Sequence, residues 1–166
     1  MKLLGSIFSS SVVRGAAVAT ALMMTASSGH AQSGPFASLG GSWSGNGTVA
    51  LADGTKERIR CRATYSVGGG GSSMKQVLRC ASDSYRFDLT TDVTAQGNNV
   101  SGRWSETSRN LNGDLQGSVN GGRINVFVTA NGFAGSLSVT TQGNRQNVSL
   151  DSKSDLRGVA ITMTRG

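Results

Sequence analysis

Glu57-Arg58-Ile59-Arg60-Cys61-Arg62-Ala63-Thr64-Tyr65-Ser66-Val67 decides the fold. One phase of this run carries Ile59, Cys61, Ala63, Tyr65 and Val67, and the other carries Arg58, Arg60, Arg62 and Thr64. A period of two with one apolar phase is a β-strand with one face buried. The run ends in Gly68–Gly71, and a second run follows to Cys80. Placing Cys61 opposite Cys80 also sets Ala63 against Leu78, Tyr65 against Gln76 and Val67 against Met74, with the loop centred on the glycines. The agreement points to one antiparallel hairpin stapled by a disulfide. Closing a loop of roughly 20 residues contributes about 3 kcal/mol in the chain-entropy view.

The same pattern extends in both directions. Gly41–Leu51 places Trp43, Gly45, Gly47, Val49 and Leu51 in one phase, and Asp53-Gly54 turns the chain into the run above. Downstream come Tyr85, Phe87, Leu89 and Val93; Val100, Gly102 and Trp104; Leu111, Leu115 and Val119; Ile124, Val126 and Val128. Phe133, Leu137 and Val139 follow, then Val148 and Leu150, and finally Val159, Ile161 and Met163. Gly97-Asn98, Asn120-Gly121-Gly122, Asn131-Gly132 and Gly143-Asn144 between them are hairpin turns. The expectation is an all-β, antiparallel up-and-down meander of about ten short strands over residues 41–166, closed into a small barrel that leaves no free edge. A two-sheet sandwich is the competing arrangement.

Composition bounds the chemistry. The 166 residues include 24 Gly, 2 Cys and 1 His, are 37% hydrophobic and only 5% aromatic, and carry 16 Lys and Arg against 9 Asp and Glu. Met1–Ala31 has the layout of a cleavable signal peptide: Lys2 and Arg14, an apolar Gly15–Ala26, then Gly29-His30-Ala31 with cleavage expected after Ala31. The apolar stretch of about 12 residues is short of the roughly 20 needed to span a bilayer as a helix. Residues 32–40 read as a flexible lead into the first strand. Periplasmic or secreted location then favours a Cys61–Cys80 disulfide over redox or metal chemistry. With His30 in the leader, no Ser-His or Cys-His nucleophile can be assembled, and no metal or cofactor is expected. The chain reads as non-enzymatic.

Three features remain as candidate sites. Trp43, Tyr65, Tyr85 and Trp104 would line a hollow fit for a small apolar or glycan-like ligand, if the inward glycines Gly45, Gly47, Gly102, Gly113, Gly117 and Gly135 leave one and do not merely permit tight bending. Glu106 shares the inward phase of Trp104, and desolvation there would raise its pKa, making it an acid or a ligand anchor. The outward row Arg58, Arg60 and Arg62, with Arg79 and Lys75 across the hairpin, would take an anionic envelope component such as a lipid headgroup or glycan. The bland alternative is a solvated face compensated by Glu57 and Asp83. Asp88 and Asp92 share their outward phase with Arg86. Nucleic acid is not expected, because the row has no aromatics for base stacking.

Gly41-Ser42-Trp43 at the first strand and Arg165 at the last resemble the G-x-W start and terminal Arg of the calycin group, the lipocalins and avidins. The resemblance implies a closed barrel in which Arg165 packs over Trp43 and shuts one end, with a small ligand inside. The chain departs from that group in having about ten strands instead of eight and no helical segment before the first. It is also similar to small exported proteobacterial proteins. The reading is an exported monomeric barrel binding a small ligand or an anionic envelope component. The alternatives are an integral outer-membrane barrel and a hydrolase built on Glu106.

Overall fold

A computed structural model describes residues 33–166 of the chain. The signal-peptide reading of Met1–Ala31, with His30, lies outside the described residues. Ten strands follow in order: β1 (Gly41–Leu51), β2 (Lys56–Gly68), β3 (Ser73–Ala81), β4 (Arg86–Gln96), β5 (Asn99–Glu106), β6 (Leu111–Asn120), β7 (Arg123–Ala130), β8 (Phe133–Gln142), β9 (Arg145–Ser152) and β10 (Leu156–Arg165). Each pairs antiparallel with its sequence neighbour, and β1 pairs with β10, which closes the barrel. No edge is left for edge-to-edge association, and the sandwich alternative falls.

The hairpin register is as the cysteines require. Cys61 faces Cys80, Ala63 faces Leu78, Tyr65 faces Gln76 and Val67 faces Met74, and the two cysteines form a disulfide. Such a bridge persists in an oxidising compartment and is rare in the cytosol. Two-residue turns at 97–98, 121–122, 131–132 and 143–144 link the later strands. Gly97 and Gly143 have φ of 60° and 55°, the left-handed region that tight hairpins need.

The apolar phase of every strand turns inward. Ile59, Cys61, Ala63, Val93, Val100, Leu115, Val126 and Ile161 are all buried. Outward positions such as Ser44, Asn46, Thr162 and Asn147 are polar and exposed. A membrane-spanning barrel needs the reverse, an apolar band facing lipid. The integral outer-membrane alternative is therefore corrected by the direction of the alternation.

The lead into β1 differs from the flexible stretch expected. Ala37–Leu39 form a single 3-10 turn, and Phe36 and Leu39 are buried. Backbone hydrogen bonds from Gly34 N–H to Gly70 O (2.7 Å) and from Phe36 N–H to Gly71 O (2.9 Å) clasp the lead to the β2–β3 loop. Gly34 and Gly71 cross so closely that a Cβ on Gly71 would lie 2.7 Å from Gly34 N. Burying Phe36 and Leu39 against the barrel end offsets the entropy of ordering this segment. The helical turn also corrects the expectation that none precedes the first strand.

Candidate functional site

One end of the barrel is shut by the pair that the sequence marks at its two ends. Trp43 and Arg165 face each other across β1 and β10. The guanidinium carbon of Arg165 sits 4.7 Å from the Trp43 ring centroid, and the Trp43 indole N–H donates to Leu39 O at 2.8 Å. Arg165 also donates to Ser38 O. Trp43 is thus a closing residue and not, as its phase allowed, part of a ligand surface. The residue is 1% exposed and covered by the lead segment.

Above this plug the interior is hollow, with a cavity of about 510 Å³. Its walls are largely aliphatic and aromatic, among them Leu78, Leu89, Phe87, Trp104, Leu137 and Leu150. The opposite end is its mouth, where Tyr85, Arg109, Asn131 and Asp155 line the rim. The inward glycines serve chiefly to let strands approach. A Cβ on Gly45 would collide with Thr162 O, one on Gly102 with Asp92 O, and one on Gly117 with Asn125 O. Gly113 in addition makes room for the ring of Trp104, whose Cε2 would be 2.8 Å from a Cβ there. Bending and hollow are therefore not alternatives, because close coiling at the glycines coexists with open space elsewhere.

Four of the five residues expected to line a pocket do so: Tyr65, Tyr85, Trp104 and Glu106. Trp104 meets Phe133 edge-on at 5.9 Å between centroids. Tyr65 lies towards the closed end. Its hydroxyl donates to Gln146 Oε1 (2.8 Å) and accepts from Gln76 Nε2 (3.0 Å), while Gln146 Nε2 donates to Thr141 Oγ1 (3.1 Å). Burial pushes the Tyr65 hydroxyl up to about 12, against the opposing pull of its two glutamine partners. Residue phase places Gln76 and Thr91 inward, but neither stands out by type in the sequence. Only the pairings Tyr65–Gln76 and Gln76–Thr91 put them in one row.

Glu106 is buried, but its chemistry is the reverse of that expected. Its Oε1 accepts the backbone N–H of Asp88 (3.0 Å) and Ser108 (3.0 Å), and its Oε2 accepts that of Arg109 (2.8 Å). Desolvation raises its pKa, but these hydrogen bonds outweigh it and hold the carboxyl below the usual carboxylate range. Glu106 is an anion that ties the β5–β6 loop to β4. The expectation of a raised-pKa acid is corrected. Arg109, 3.7 Å from Glu106 Oε2, lies over the Tyr85 ring at 4.1 Å and so forms one wall of the mouth.

On the outside, the β3 cations are compensated, though not by the residues expected. Arg79 pairs with Asp88 (3.5 Å) and Lys75 with Asp92 (3.9 Å), both acids coming from β4. Glu57 instead accepts hydrogen bonds from Ser82 and Ser84, which lower its pKa. Arg58, Arg60 and Arg62 on β2 form no ion pair among the described residues, because their other neighbours on β1 are Thr48, Asn46 and Ser44. Arg62 faces Arg79 directly.

No family model matches the chain, and no curated protein matches it. Among solved structures, the crystal structure of Rv2717c from M. tuberculosis is similar in fold. The TM-score is 0.64 at 15% sequence identity, covering 78% of this chain and 94% of that one. The likeness is one of barrel architecture.

Proposed function

We propose that this chain is an exported, non-enzymatic β-barrel that binds a small, mainly apolar ligand in its interior. The carrying observation is the cavity of about 510 Å³, walled by apolar side chains, plugged at the Trp43–Arg165 end and bounded at the other by a polar rim. Ligand pockets commonly measure about 300–1,000 Å³ with predominantly apolar walls and few polar groups. The calycin-like closure by Trp43 and Arg165 supports an interior ligand over an exterior one. Export is supported by the signal-like Met1–Ala31 and by the disulfide. Native mass spectrometry of protein purified from its own host should show a bound small molecule that is lost on denaturation. A clean unliganded mass would contradict the reading.

A second reading is favoured by one observation. Arg58, Arg60 and Arg62 stand outward in a row without acidic partners, while the cations on β3 are neutralised. An anionic envelope component would complement that row.

A further inference from the structure

Resting on the interior-ligand reading, we infer that the cavity selects an uncharged compound carrying one carbonyl or hydroxyl group on an apolar body, with that group anchored by Gln76 and Thr91. The two residues are neighbours across β3 and β4, in one inward row with Tyr65 on β2. Thr91 is 6% exposed and lines the cavity, which puts its hydroxyl within reach of a ligand held there. Gln76 also lines the cavity and spends one N–H on the Tyr65 hydroxyl. A primary amide has two donors and a carbonyl acceptor, so one donor and the acceptor remain for a ligand.

The Tyr65 hydroxyl itself is saturated, donating to Gln146 and accepting from Gln76, so it orients Gln76 and does not bind. A ligand group that hydrogen-bonds these atoms inside an apolar enclosure gains over one that leaves them unmet.

The absence of charge at this depth sets the ligand class. Gln76, Thr91 and the un-ionised Tyr65 offer no formal charge, and the charged residues of the lining, Glu106, Arg109 and Asp155, stand at the mouth, Glu106 and Arg109 paired with each other. A carboxylate or ammonium group drawn into this row would be desolvated without a counter-charge. A ketone or alcohol meets donors and acceptors of matching strength. The remainder of the ligand would lie along Leu78, Leu89 and Trp104 towards the mouth.

Three probes of one shape test the assignment: 2-ethylnaphthalene, 2-acetylnaphthalene and 2-naphthoate, each titrated calorimetrically into the full mature chain. The wild type should bind the ketone about tenfold more tightly than the hydrocarbon, the worth of one well-made hydrogen bond, and the carboxylate most weakly. Thr91→Val, which is nearly isosteric, should reduce the ketone preference severalfold. Thr91→Val combined with Gln76→Met should abolish it while the hydrocarbon still binds, which also shows that the variant is folded. A ketone preference unchanged in the double variant, or tightest binding of the carboxylate, overturns the anchor alone. Failure of all three probes to bind wild-type protein overturns the anchor and the cavity reading together.

Discussion

A carboxylate beside an apolar cavity serves as an acid only if nothing else stabilises its charge. Glu106 fails that condition because three backbone N–H groups, from β4 and the β5–β6 loop, converge on its two oxygens. With its folded-state pKa depressed, Glu106 contributes stability in full above its unfolded pKa of about 4.3. That contribution is lost as pH falls through the lower folded value. Glu106→Gln should therefore cost about 2 kcal/mol at neutral pH, the scale of a hydrogen bond to a charged group. Urea titrations from neutral to acid pH should show the gap between variant and wild type narrowing below that range. A gap independent of pH would mean that the charge is not what the loop uses.

At the scale of strands, what was legible depended on whether one strand or several were needed. The β2–β3 register follows from two cysteines and the alternation around them, because a one-residue slip would turn the apolar face outward. Compensation of the cations was not legible, since it depends on which acid β4 sets beside Arg79 and Lys75. The glycines were ambiguous for a related reason. Phase shows that Gly45 and Gly102 point inward, but only the carbonyls of β10 and β4 show why a side chain is excluded there. The order of the lead segment is not legible in the sequence, because a lone Phe36 and Leu39 carry no period. Their burial comes from the barrel end they cover. The unpaired row on β2 leads to its own prediction: changing Arg58, Arg60 and Arg62 together to Ser should markedly weaken retention on heparin and on anionic vesicles. Like cations in so short a row repel unless an anion intervenes, so the variant should keep or slightly improve its stability. Unaltered retention would remove the exterior anion reading.

Taken as a whole molecule, the barrel divides its two ends between separate tasks. The Trp43–Arg165 end, sealed by Phe36 and Leu39, excludes solvent and fixes closure. The opposite end carries loops tied down by Glu57 and Glu106, with Arg109 and Tyr85 stacked at the rim. Between them the interior is walled by side chains too few and too small to fill it, which is the structural meaning of a chain that is 5% aromatic. Few bulky residues in the sequence do not decide between a solid and a hollow core, which depends on ten strands closing at once. A hollow of this kind has a direct test: titration of residues 32–166 with Nile red, whose emission rises and shifts blue in an apolar enclosure. The wild type should bind saturably at one dye per chain, and Leu78→Trp, which fills the cavity wall while leaving the outer surface unchanged, should weaken binding at least tenfold. Non-saturable binding by the wild type, or equal affinity in the filled variant, would contradict an interior binding site.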